Sequence, residues 1–508
     1  MKILFENTTG KFIMKKKLIT IFYLFLVTVN QLSANDFEWT PQIQKAYSEI
    51  SSLKLEKGRT ILKQYRVKSA FIPYLESFAD MIEMGVLENK NKYENFIEQQ
   101  EQRINILEKL DENSPYRDFL IAEINLHTSF IKLKYGHEIK GANQVIKAYR
   151  ILTKNAQKFP SFLPQQKSLG ILHIVIGSMP KKYQWITNLL GIKGNVMQGI
   201  QELDKVVKND KVYSVEAELF YYILSTYIVS NLGDKSKALI SFVQKYPQNL
   251  AITFIGTSLL IKMGKSETAL NLIKKRPISE EYLFVPFFDY FLGEIYLQKG
   301  KYMEASNAYQ DFIKNQHGFN FLKEANYKIF LCNDLNNELK IDTKYLYNVL
   351  KVGETIVEPD KVAFKSAQQI IKSNTSTSLI EKKLKKIQLA TEGGYYQEGL
   401  LLLEKMDEST IVKLKDKVEK IYREGRILHL MGNSEKAMTK YQRVLDISIE
   451  QPTWSFAPRS CLYMGNILQL ENDKKKAIYF YKKTLQYADY DGSNGVEIKA
   501  NAGLNELQ

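Results

Sequence analysis

The residue types that could do chemistry are few and scattered. Five histidines stand at 127, 137, 173, 317 and 429. His137-Glu138 opens like the helix of a zinc protease, where two imidazoles one turn apart hold the metal and the glutamate activates its water. Here Ile, Lys and Gly follow Glu138, so the second histidine is missing and neither residue has a metal to serve. Gly264-Lys265-Ser266 imitates the end of a phosphate-binding loop. That loop's first glycine would fall at Leu259, and no parallel-sheet pattern surrounds it. Ser51 and Lys54 have the spacing of an acylating serine and its lysine, without the Lys-Thr-Gly that completes such a site. Glu280 and Glu281 are adjacent, so on a helix they point apart, whereas acid–base catalysis needs two groups converging on one substrate. Cys332 and Cys461 are too few for a disulfide framework or a four-thiolate metal site, and both sit in apolar helical stretches that predict buried, inert thiols. The sequence therefore predicts no catalytic residue, no metal ligand and no cofactor.

The elements that would position any site are helices. In 508 residues there are only 26 Gly and 12 Pro, so few breakers interrupt a chain rich in Lys, Leu, Ile and Glu. Amphipathic stretches predict helices near 42–64, 74–87, 92–110, 116–135 and 139–157. Leu169 to Ile176 is apolar nearly all round and predicts a buried helix, with His173 as a hydrogen-bonded core residue. Further on, one spacing recurs. Gly293, Tyr296, Gly300, Ala305 and Tyr309 share their offsets with Gly425, Leu428, Gly432, Ala437 and Tyr441, and with Gly465, Leu468, Asn472, Ala477 and Tyr481. Weaker copies are Gly233-Ala238-Phe242, Gly264-Ala269-Ile273 and Gly394-Gly399-Leu403. Small residues let two helices cross closely, the aromatic fills the space beside the crossing, and Gly or Asn makes the turn. Between Ala305 and Gly399 the spacing lapses, and degenerate helices are expected near 321–335 and 359–373.

These residues resemble the tetratricopeptide repeat, a helix-turn-helix unit of about 34 residues. The resemblance implies an all-α fold: a right-handed α-solenoid with repeats around 218–246, 250–276, 286–319, 380–406, 418–451 and 458–491. The array would span 208–508, preceded by a helical N-terminal domain over 35–207. Residues 169–203, with Gly170, Gly177, Pro180, Trp185, Gly191, Gly194 and Gly199, resemble a signature of the eukaryotic inclusion-body-clearance family of tetratricopeptide-like proteins. Stacked repeats bury their stripes against neighbours and curve into a concave groove. By resemblance, ligand-facing side chains lie on each first helix. Carried over by offset, they are Tyr290, Glu294 and Gln298, then Tyr422, Arg426 and His429, then Arg459, Asn466 and Gln469.

The N-terminal segment reads as an address. Met14-Lys15-Lys16-Lys17 precedes an apolar run from Leu18 to Val29, then Leu32-Ser33-Ala34. That is the pattern of a secretory signal peptide over 1–34, with Met14 as the expected start and Asn35 as the first mature residue. The run is shorter than the ~20 residues a membrane span needs. Removing five Lys and one Glu lowers the net charge from +15 to +11. The expected compartment is the periplasm or cell envelope, and the expected role a non-enzymatic scaffold for a protein or peptide partner, with no nucleic acid. Two rival readings are an envelope glycan- or nutrient-binding protein, and a peripheral membrane protein. The basic run Lys54–Lys68 is the candidate contact for anionic lipid or glycan.

Overall fold

A computed structural model describes residues 36–185, 191, 194–229, 233–336, 343–373, 377–451, 453–487, 490 and 492–507. The signal segment read in 1–34 lies outside these residues. The described residues form α-helices and short 3-10 turns without a strand, so the protein is all-α and its helical hairpins stack as an α-solenoid.

Among the described residues the first nine helices are α1 (Pro41–Ser51), α2 (Leu55–Gln64), α3 (Phe71–Leu87), α4 (Tyr93–Glu108), α5 (Pro115–Lys134), α6 (Glu138–Lys158), α7 (Gln165–Gly177), α8 (Val196–Asn209) and α9 (Ser214–Tyr227). The helix expected over 42–64 is two helices. Leu53 closes α1 with φ +67°, and the Lys54 N–H turns back to the Glu49 carbonyl at 2.9 Å. No Gly or Pro announces this break. The glycines of 169–203 do close-approach work between α7 and α8. A Cβ on Gly170 would stand 2.8 Å from the Gly199 carbonyl oxygen, and one on Gly199 2.5 Å from that of Gly170. His173 is buried on α7, with Nδ1 2.6 Å from Glu202 and Nε2 3.2 Å from the Tyr149 hydroxyl.

The chain continues through α10 (Ser236–Lys245), α11 (Leu250–Lys262), α12 (Ser266–Lys275), α13 (Phe287–Gln298), α14 (Tyr302–Asn315), α15 (Leu322–Leu335), α16 (Lys344–Lys351) and α17 (Glu358–Ser373). Then come α18 (Leu379–Gly393), α19 (Tyr396–Glu404), α20 (Leu414–Leu430), α21 (Ser434–Ile447), α22 (Phe456–Leu470), α23 (Lys474–Thr484) and α24 (Ser493–Leu507). The repeat spacing acts as the sequence predicts. Tyr309, Tyr441 and Tyr481 are fully buried. A Cβ on Gly293 or Gly465 would lie 2.6 Å from the ring of Tyr309 or Tyr481. Burying each ring stabilises its hairpin by roughly 2–3 kcal/mol. Gly300, Gly432 and Asn472 take φ of +77°, +83° and +64° at the turns. Gly264 is also such a turn, at +68°, not a phosphate loop. The degenerate helices expected near 321–335 and 359–373 are α15 and α17.

Three contacts shape the interior. Glu88, fully buried at the end of α3, accepts the Phe319 and Asn320 N–H groups at 2.9 Å and pairs with Lys134 at 2.7 Å, tying the N-terminal helices to the start of α15. α18 packs across α11, α13 and α15, and a Cβ on Gly394 would stand 2.0 Å from the Gly264 carbonyl oxygen. α24 packs on α22 and α23 and also on α7 and α8. Its Asn505 accepts the Val196 N–H at 2.7 Å and donates to the Gly194 carbonyl at 3.0 Å, and Asn501 donates to the Met179 carbonyl at 3.0 Å. The last helix thus joins the end of the array to the N-terminal helices.

The candidate binding site inside the array

The nine residues carried over by offset fall into three groups. Tyr290, Glu294 and Gln298 lie on α13 beneath α18. The Tyr290 hydroxyl donates to Glu324 at 2.7 Å, Glu294 pairs with Lys328 and with the Tyr309 hydroxyl, and Gln298 accepts from Ser266 at 2.6 Å. Tyr290 and Gln298 are buried. The open groove expected over this unit is occupied by the chain's own helix and by these internal bonds. Offset cannot foresee that, because α18 comes from about a hundred residues further along. Asn466 and Gln469 lie on α22, where their side-chain oxygens stand 3.0 and 2.6 Å from the single Tyr481 hydroxyl. Gln469 also donates to Glu506 of α24 at 3.2 Å.

The third group, Tyr422, Arg426, His429 and Arg459, is brought together around Tyr463. The Arg426 guanidinium lies 4.0 Å over the Tyr463 ring. The Tyr441 hydroxyl and the Arg426 Nη1 both sit 3.3 Å from His429 Nδ1. Burial, with Arg426 beside it, pushes the His429 imidazole down to about 3, so it is neutral at physiological pH. Against the effect of burial, Arg426, Arg459 and Lys499 draw the Tyr463 hydroxyl down to about 8. Burial holds the Lys499 ammonium down to about 8 as well; Lys262 and Arg426 add to it and Tyr463 opposes it. Among the described residues no carboxylate lies within ion-pair distance of Arg426, Arg459, Lys499 or Lys262.

Arg459 also lines a half-open cavity of about 390 Å³ between α15, α17, α18, α20 and α22. Its wall carries Lys385, Arg423, Trp454 and Phe456. The wall's carboxylates are neutralised: Asp334 by Lys382 at 2.8 Å, Glu381 by Lys413 at 2.8 Å and Glu419 by Arg423 at 2.7 Å. Lys385 donates to Gln388 at 2.9 Å; burial, then Arg423, lowers its basicity. Tyr463, Lys385 and Lys499 were missed by the offset argument. Tyr463 was within reach, one turn beyond Arg459 on α22, but Lys499 lies past the last repeat.

The basic run Lys54–Lys68 is not a free cationic face. Lys54 pairs with Glu281 at 2.8 Å, Lys57 with Glu49 at 3.3 Å, Arg59 with Asp80 and Glu83 at 2.7 Å, and Lys68 with Asp36 at 3.0 Å. Ser51 donates to Ser48 and is not joined to Lys54. Cys332 and Cys461 are buried free thiols, each pushed up to about 12 by burial. Among the described residues no three His, Cys, Asp or Glu side chains are grouped to hold a metal ion, and no helix is long and apolar enough to cross a membrane.

No family model matches the chain, and no curated protein matches it. Among solved structures, a monomeric mutant of IFIT1 with Gppp-AAAA is similar at 14% identity, over 87% of this chain and 95% of that one, with a TM-score of 0.30. The human IFIT1 dimer with m7Gppp-AAAA is similar at 13% identity, over 86% and 94%, with a TM-score of 0.29.

Proposed function

We propose that the protein is an exported, non-enzymatic scaffold that binds a protein or peptide partner inside its helical array. The observation that carries the reading is the cluster of Arg426, Arg459 and Lys499 around Tyr463, held without a carboxylate partner beside a cavity of about 390 Å³. Uncompensated cations are costly to hold in a partly dry interior, and an incoming acidic group would repay that cost. Aromatic rings at Trp454 and Phe456 line the cavity and offer area for the apolar parts of an extended segment. Export rests on the pattern of residues 1–34, and cell fractionation with N-terminal sequencing of the mature chain tests it.

The binding test is capture in the envelope fraction of the source cell by crosslinking, comparing the native protein with the double variant Arg426→Glu, Arg459→Glu. One or a few protein partners, lost in the variant while helicity is retained, is the expected result. Recovery of glycan, lipid or nucleic acid in place of protein would overturn it. The pairing of most of Lys54–Lys68 with carboxylates disfavours a peripheral membrane role through that run.

A further inference from the structure

Two of the molecule's most enclosed cations are each matched by two carboxylates. Lys167 is held by Glu123 and Glu216, and Lys328 by Glu294 and Glu324. Arg459 and Lys385 line a cavity and have no carboxylate within ion-pair distance among the described residues. Arg459 Nε is buried with no hydrogen-bond partner among the described residues, and the rest of its side chain meets the Tyr422 side chain. An orphan donor on a guanidinium is costly and is retained where something else satisfies it.

We infer that Arg459 and Lys385 form an oxyanion subsite that takes a carboxylate from an acidic side chain of a peptide partner, with Arg426 and Lys499 reinforcing the field from behind. The inference rests on the scaffold reading and names the chemistry of its ligand. A guanidinium matches a carboxylate in a planar fork, and Lys385 adds a point charge from the opposite helix. The same cavity wall argues for an isolated carboxylate over a polyphosphate. Asp334, Glu381 and Glu419 also line it. A peptide can set one acid at Arg459 and apolar residues against Trp454 and Phe456, which a strand charged on every unit cannot. Burial, then Arg423, lowers the basicity of Lys385 against the opposing pull of Glu392 and Glu419, and burial lowers that of Lys499.

The test uses the whole protein and three fluorescent probes: a peptide of Glu-Ala-Ala repeats, its Gln-Ala-Ala counterpart, and oligouridylate. Binding is read by anisotropy at low salt. The Glu peptide is expected to bind at least about tenfold more tightly than the Gln peptide. Arg459→Gln and Lys385→Gln should each remove about that factor, while Lys63→Gln, exposed on α2 and not lining the cavity, changes little. Circular dichroism and the thermal midpoint of each variant establish that it is folded. Equal binding of the two peptides, no binding of the Glu peptide, undiminished binding by the variants, or preference for oligouridylate overturns the inference. The scaffold reading fails separately. If Arg459→Gln and Lys385→Gln still capture the same envelope protein, only the oxyanion subsite falls; if the native protein captures none, the scaffold falls.

Discussion

Replacing Lys499 with Met removes a cation from the interior and keeps most of its aliphatic volume. Lys499 projects from α24 toward Lys262 of α11, Arg426 of α20 and Tyr463 of α22, and burial with the first two holds its ammonium down to about 8. The folded chain therefore releases this proton near pH 8, while the unfolded chain keeps it up to the ordinary lysine range. Between those limits the unfolded state binds more protons, so stability rises with pH. The gap between about 8 and the ordinary 10.5 amounts to about 3 kcal/mol of strain at neutral pH, and partial solvent access reduces it to about 1–2 kcal/mol. Tyr463 titrates in the same window with the same sign, since its phenolate is favoured by the folded state. Lys499→Met should thus be more stable than the native protein at neutral pH by about 1–2 kcal/mol, and the advantage should vanish by about pH 10. Urea unfolding followed by circular dichroism across that range measures both. A less stable variant at neutral pH, or an advantage that does not shrink on the alkaline side, would refute the reasoning.

Other perturbations read separate parts of the structure. Glu88→Ala leaves two buried N–H groups and Lys134 without their acceptor, so hydrogen exchange around Phe319 and Asn320 should quicken by two to three orders of magnitude, about 3–4 kcal/mol of lost protection. Unchanged exchange there would show that Glu88 does not tie α3 to α15. Gly465→Ala puts a methyl 2.6 Å from the Tyr481 ring and should cost about 1–3 kcal/mol by overpacking, read as a lowered thermal midpoint. Cys332 and Cys461 should stay silent to a disulfide thiol reagent near pH 8 in the native protein and react fully in denaturant, because burial pushes both thiols up to about 12. Rapid native labelling of either would contradict its burial.

The repeat hairpins were legible because their residues act locally. A glycine at the crossing, a glycine or asparagine at the turn and a tyrosine beside them are set by contacts within one unit, as with Gly465, Asn472 and Tyr481. The close approach of α7 and α8 was legible for the same reason, from Gly170 and Gly199. The break at Leu53 was not, since a leucine at positive φ carries no turn signature. The interior was only partly legible. Offset found Tyr422, Arg426, His429 and Arg459, which converge, but gave equal weight to Tyr290, Glu294 and Gln298, which α18 covers. Which helix lies over which groove depends on contacts between residues a hundred or more apart, such as Tyr395 with Glu267, and one sequence carries no local trace of them. Lys499 entered the cluster through α24, whose Asn501 and Asn505 bind backbone far upstream.

The most direct measurement places a photo-crosslinking residue inside the array and another outside it. Trp454 lines the cavity, and Val412 stands on the surface with 87% of its area exposed. With the protein expressed in its own cell and irradiated, the account predicts a discrete protein adduct from position 454 and none from position 412. An adduct from position 412 alone, or no protein adduct from 454, would contradict binding in the interior.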